Sequence, residues 1–162
     1  MTRHLRLGLA VAVLVGVVDQ FSKWWMAGFL RSRGGRPVEI APFLDLVEVW
    51  NRGMSFGLFN AAERPWAFVA LALVIAALLL WWLGRAGRVW QAPGIGLVLG
   101  GALGNVVDRL RFGAVFDFLD FNAVGWHWPA FNLADSAISV GVCLLLLDGL
   151  FEARESPKKA SK

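Results

Sequence analysis

Four blocks of apolar residues, separated by polar intervals, lay out this chain. They cover residues 7–29, 66–83, 93–110 and 134–151. A helix rises about 1.5 Å per residue, so blocks of this length cross a hydrocarbon core of about 30 Å. The pattern predicts four transmembrane helices. Residues 31–65 form the longest polar interval, and within it PVEIAPFLDLVEVWN partly alternates and is rich in strand formers. That stretch predicts a small antiparallel patch at the membrane surface. NRGMSFGLFN follows, with Asn51 at its head and Gly53 and Gly57 flanking a turn. Asn51 is either a turn residue or a substrate contact.

The first block has the basic start and apolar core of a secretory signal peptide. Where a small-residue cleavage site should follow, the chain reads DQFSKWWMAGF. An uncleaved first span fits better. In the third block Gly96, Gly100 and Gly104 recur every four residues, leaving one face without side chains. Another helix can approach closely there, and the same face offers room for acyl chains. A phosphate-cradling loop is excluded, because the closing Lys-Ser/Thr is missing and the segment is an apolar helix.

Composition supports this reading. Of the 162 residues 57% are hydrophobic, and mean hydropathy is +0.58. The formal charge of +4 could suggest nucleic acid, but the basic residues cluster at the ends of apolar blocks. Nucleic acid is therefore not an expected partner. Cys143 is the one cysteine, expected as a small packing residue, and the two histidines do not space like zinc ligands. Neither a metal nor another cofactor is expected.

Arg3, Arg6, Arg85, Arg88, Arg154, Lys158, Lys159 and Lys162 fall on one side of a four-span arrangement. Both termini are thus expected in the cytoplasm, with residues 153–162 a disordered basic tail on a single membrane domain, 1–152. Trp24, Trp25, Trp66, Trp126 and Trp128 would lie near the outer boundary, and Trp81, Trp82 and Trp90 near the inner one.

This frame brings Asp19, Asp108, Asp117 and Asp135 towards the outer half of the membrane. Ionisable groups beside membrane spans cost several kcal/mol unless partnered or wetted, so they are functional candidates. Two carboxylates held close titrate as a unit, one keeping a proton. The ionised member can take a proton from water while the other protonates the departing group. Asp117 and Asp135 are the expected pair for such peptide hydrolysis. Other readings stay open. Asn132 and Asp135 fit a helix-capping arrangement. Asn105, Asp108 and Arg109 could satisfy one another on one helix, and Asp19 and Lys23, four apart, could form an internal ion pair. Asp120 and His127 are expected as solvated loop residues. Ser22, Ser55, Ser136 and Ser139 lack a histidine partner, leaving a dyad of Ser55 or Ser136 with Lys23 as a minor alternative. A proton- or cation-coupled transporter and a structural membrane subunit are the rival classes.

DQFSK at 19–23, NRGMSFG at 51–57, GNVVDR at 104–109, VFDF at 115–118 and FNLADS at 131–136 together resemble the bacterial lipoprotein signal peptidases (signal peptidase II). The resemblance runs over nearly the whole chain, with Ser55 standing where the family often has alanine. It implies an all-α polytopic membrane protein of four transmembrane helices, with a small extracytoplasmic β-cradle and a loop helix. It also implies an aspartic endopeptidase of the cytoplasmic (inner) membrane, active near its outer face. Such an enzyme cleaves prolipoproteins before the diacylglyceryl-modified cysteine. Asp117 and Asp135 would be catalytic. Asp19, Lys23, Asn51, Gly53, Asn105, Asp108, Arg109, Asn132 and Ala134 would support the site or position substrate. Membrane lipids are expected partners, the lipopeptide globomycin an inhibitor, and a monomer the expected state.

Overall fold

The computed structural model describes residues 2–53, 65–88, 90–123 and 125–159. Four helices and a four-stranded antiparallel sheet follow in the order α1 (Arg3–Ser32), β1 (Val38–Ala41), β2 (Leu44–Asn51), α2 (Pro65–Leu83), α3 (Gln91–Phe112), β3 (Val115–Ala123), β4 (Trp126–His127) and α4 (Leu133–Lys159). Three of the helices are long and apolar enough to cross a membrane: α1, α2 over Trp66–Leu83 and α4 over Leu133–Phe151. Between their ends they expose many large apolar side chains, among them Val13, Leu14 and Val17 on α1 and Leu71, Val74 and Leu78 on α2. Such surfaces suit lipid rather than water.

The third apolar block differs, and its burial explains why. Glycines and polar residues lower the hydropathy of α3, which packs between α1 and α4 and against α2. A Cβ on Gly96 would lie 2.5 Å from the Gly8 carbonyl oxygen, and one on Gly100 would lie 2.5 Å from that of Ala12. Gly94 and Gly101 admit α4 on another face. A helix surrounded by protein can give up apolar side chains for close backbone contact, whereas one facing lipid cannot.

The helix ends follow local chemistry. The Thr2 hydroxyl caps α1 by accepting from the Leu5 N–H at 3.2 Å. Gly113, at φ 70°, ends α3 and turns the chain into β3. The fourth helix corrects an expectation: residues 153–159 continue α4 instead of forming a disordered tail. The run EARE after Phe151 consists of strong helix formers, and adding residues to an existing helix avoids the cost of nucleating a new one. Cys143 also departs from expectation, being exposed on α4 rather than packed inside.

The surface patch expected from residues 37–51 is β1 and β2, but it makes up only half of the sheet. The remainder is β3 and β4, in the order β1-β2-β3-β4. Leu30, Leu46, Phe116 and Phe118 form a buried cluster that seats the sheet on the end of α1. Register pairs Val49 with Asp117, Trp50 with Phe116 and Asn51 with Val115. Residues 54–64, which include Ser55, lie outside the described residues. Between residues 31 and 53 no helix follows the end of α1, so the loop helix expected within 31–65 is not among the described residues.

Candidate active site

The carboxylate cluster forms where the last turns of α3, the start of α4 and the middle of α1 meet β3. Phe131 exchanges backbone hydrogen bonds with Leu119, its N–H donating at 2.9 Å and its carbonyl accepting at 2.9 Å. That bridge sets Asn132 beside Asp117. Asn132 is fully buried, and its Nδ2 donates to Asp117 Oδ1 at 2.6 Å. The Asn132 backbone N–H donates to Asp135 Oδ2 at 3.2 Å, while Asn132 Oδ1 accepts from the Asp135 N–H at 3.0 Å. The last two bonds are the reciprocal cap of α4 expected as an alternative role. Capping and contact with Asp117 therefore occur together, and one asparagine ties both carboxylates.

The remaining oxygens of the pair are also held. Asn51 Nδ2 donates to Asp117 Oδ2 at 3.0 Å, and Asn105 Nδ2 donates to Asp135 Oδ1 at 2.8 Å. Asn51 Oδ1 meanwhile accepts from the Gly53 N–H at 3.0 Å, so Asn51 is both a turn residue and a contact to the site. Asp117 is 1% exposed and Asp135 is partly open. Burial pushes the Asp117 carboxyl up from 3.8 to about 6, and the negative charge of Asp135 adds to it. Hydrogen bonds from Asn51 and Asn132 and the positive charge of Lys23 act in the opposite direction.

Behind the pair lies a buried ionic layer. Lys23 Nζ is 2.9 Å from both Asp19 Oδ2 and Asp108 Oδ2, and it donates to Asn105 Oδ1 at 2.9 Å. Three side chains of α1 and α3 are thereby joined around one ammonium, whose charges need mutual pairing to offset desolvation. Asp19 Oδ1 accepts from the Ala134 N–H at 2.9 Å, fixing the start of α4. Asp108 Oδ2 accepts from the Phe116 N–H at 3.2 Å, fixing the residue before Asp117. Gly104 is required here, since a Cβ would lie 2.6 Å from Asp19 Oδ2.

Two expectations change. The side chains of Asn105, Asp108 and Arg109 do not satisfy one another, because Asp108 turns to Lys23 and Asn105 to Asp135. Arg109 reaches the Asn105 carbonyl at 3.5 Å and lies 5.6 Å from the Phe68 ring centre. Asp120 and His127 are strand residues, not loop residues, with His127 Nδ1 2.8 Å from Asp120 Oδ2. Neither joins the carboxylate pair. Gln20 is an addition to the candidates: its Nε2 donates to Asp108 Oδ1 at 2.9 Å, to the Gly104 carbonyl at 3.1 Å and to Asp19 Oδ2 at 3.2 Å. Its signal in the chain is an uncharged polar residue inside an apolar block, next to an aspartate.

Apolar helices and a strand that bring together two carboxylates through shared hydrogen bonds to Asn132, with an ion layer behind them, describe a multi-pass membrane enzyme of the aspartic-peptidase kind. Comparison with known proteins makes the class specific. The family model for signal peptidase (SPase) II matches residues 11–151, and the chain belongs to that family. It is 44% identical to the lipoprotein signal peptidase of Methylobacterium sp. (strain 4-46), covering 94% of each chain. It is 46% identical to that of Paraburkholderia phymatum, covering 90% of this chain and 89% of the relative. Among solved structures it resembles a bacterial membrane enzyme determined by the in meso method at 1.9 Å resolution. The TM-score there is 0.77 at 30% identity, covering 88% of this chain and 92% of the other.

Proposed function

We propose that this chain removes signal peptides from prolipoproteins, hydrolysing the bond on the N-terminal side of the diacylglyceryl-modified cysteine, with Asp117 and Asp135 as its catalytic pair. The observation that carries this reading is Asn132, which hydrogen-bonds to both carboxylates from a fully buried position. Water held between the two gives a proton to the ionised carboxylate as its oxygen attacks the scissile carbonyl carbon. The protonated carboxyl donates to the carbonyl oxygen. Collapse of the tetrahedral intermediate breaks the C–N bond, and the departing cysteine amine takes up a proton from the pair.

Asp117 is the member better suited to hold the proton. With its carboxyl raised to about 6, about one molecule in ten carries that proton at pH 7. Substrate that displaces water increases the share, because desolvation disfavours the charged form. Asn51, Asn105 and Asn132 orient the pair; Lys23, Asp19 and Asp108 hold the frame; Gly53 and Ala134 supply backbone geometry. Arg109 places a cation near the pair for a polar group of the substrate.

The fold supports a single membrane domain of four spans over 1–152, with α3 as the fourth span despite its lower hydropathy. Both termini are cytoplasmic in this reading, and residues 153–162 lie on that side. The site then opens near the outer face of the inner membrane, where a lipidated cysteine arrives laterally. An apolar groove of about 550 Å³ between α1, α3 and Leu80, bordered by Gly100 and Gly104, supports acyl-chain accommodation. Globomycin acts as a competing lipopeptide, bilayer lipids are the immediate neighbours, and the protein works as a monomer.

The test is cleavage of a lipidated precursor by purified protein, with an unlipidated precursor and globomycin as controls. Asp117→Asn and Asp135→Asn are each expected to lower the rate by about a hundredfold or more. Substantial cleavage by either variant would refute the pair. Ion flux in liposomes without peptide product would favour the transporter reading.

A further inference from the structure

Away from the carboxylate pair, a half-open pocket of about 260 Å³ lies between the last turns of α1 and α3 and the end of β2. Neither Asp117 nor Asp135 lines it. Its rim carries Arg31 from α1 and Arg111 from α3, and Trp24, Trp50 and Phe112 form its walls. At its floor, Lys23 and Asp108 are paired to each other. The two arginines are exposed, and among the described residues neither guanidinium has a carboxylate partner. The Arg111 guanidinium lies 5.2 Å from the ring centre of Phe112. The Lys23 ammonium is shared between Asp108 and Asp19 at the floor, and the two arginines at the rim are the cations left without a carboxylate partner among the described residues.

We propose that this pocket binds the phosphodiester headgroup of an anionic membrane phospholipid. Guanidinium groups favour phosphate oxygens through paired, charge-assisted hydrogen bonds. The walls point to a lipid source rather than a soluble anion. Trp24 and Phe112 are 73% and 54% exposed; Trp24 lies about two turns before the end of α1 and Phe112 ends α3, on the outer side in the proposed orientation. Indole and phenyl rings at that depth suit the glycerol backbone and first methylenes of a lipid, and Arg31 and Arg111 lie at headgroup level. The diacylglyceryl group of the proposed substrate carries no phosphate, so the pocket is not a second reading of the substrate site. The inference uses the placement of the helix ends at the membrane boundary but does not require peptidase activity.

The test is native mass spectrometry of the full chain released from micelles containing equal phosphatidylcholine and phosphatidylglycerol. The parent is expected to retain one phosphatidylglycerol in preference to phosphatidylcholine. Arg31→Gln with Arg111→Gln should reduce that retention about thirtyfold, from the loss of two cations at the surface. Arg33→Gln with Arg36→Gln removes the same charge from outside the pocket and should retain lipid as the parent does. Gly28→Leu keeps every charge and fills the pocket, since a Cβ at Gly28 meets no atom within 4 Å and Gly28 lines the cavity. It should lose lipid as well, and it carries the test alone if the double arginine variant does not fold. Equal retention by the pocket variants, equal retention of the two lipids, or an equal loss in the Arg33/Arg36 control would overturn the proposal. Displacement of the lipid by excess inorganic phosphate would overturn the lipid source.

Discussion

Replacing Asp117 by asparagine is expected to remove activity while making the fold more stable at neutral pH. The parent carries the cost of a buried carboxylate: its folded value lies near 6 against 3.8 in the unfolded chain. The sign follows from linkage. Below 3.8 both states are protonated and no penalty exists; the penalty grows between 3.8 and 6 and is complete above 6. At pH 7 the gap of about 2 pH units amounts to about 3 kcal/mol of destabilisation. Asparagine escapes that cost but loses one hydrogen bond. Its Oδ1 can still accept from Asn132, whereas its Nδ2 faces Asn51 Nδ2, which donates to Asp117 Oδ2 at 3.0 Å. Opposed donors cost about 1–2 kcal/mol, leaving a net gain of about 1–2 kcal/mol at pH 7. Between pH 7 and pH 5 the advantage should shrink by about 1 kcal/mol, because the parent is relieved by protonation. Unfolding followed by tryptophan fluorescence in micelles at both pH values measures this directly. A variant no more stable than its parent at pH 7, or an advantage independent of pH, would refute the burial argument.

Lys23→Met leaves Asp19 and Asp108, both almost completely buried, without their cation, and should cost about 3–5 kcal/mol. Loss of folded protein on extraction checks it, and adding Asp19→Asn with Asp108→Asn should restore much of the yield. Gly100→Leu drives a side chain into the backbone of α1 and should lower stability by about 1–3 kcal/mol of overpacking or more. Unchanged thermal stability would show that α1 and α3 do not pack this closely. Asn132→Ala removes a donor that holds the Asp117 carboxyl down, so the pH–rate profile should move to higher pH. A profile with the parental midpoint would mean that Asn132 supports the cap of α4 alone.

The five sequence blocks that suggested the site include the pieces that meet around the carboxylates. Asp19 and Lys23 lie one helical turn apart, so their pairing was legible from spacing. The glycine repeat in α3 likewise forecast close helix contact, and α1 fills it. β3 was the main omission, although VFDFLDFNA alternates between Gly113 and Gly125 in the manner of a strand. Its proximity to an apolar helix hid that pattern. Asn105, Asp108 and Arg109 looked mutually satisfied because Asn105 stands three and four residues before the other two, but the buried Lys23 takes Asp108 and Asp135 takes the Asn105 amide.

Local rules are enough to lay out the apolar plan of the helices, the surface strands within residues 38–51 and the short roll of polar residues able to carry chemistry. Hydrophobic length, alternation, helical spacing and glycine periodicity all act between near neighbours in the chain. Which polar groups share hydrogen bonds is a matter of packing instead. Asn51, Asn105 and Asn132 come from three separate parts of the chain, and no local pattern says that their amides converge on Asp117 and Asp135. Burial sets the proton affinity of Asp117, since desolvation depends on everything packed around a carboxyl and not on its neighbours in the chain. The opening between Arg31 and Arg111 likewise exists only because α1 and α3 end side by side beneath β2.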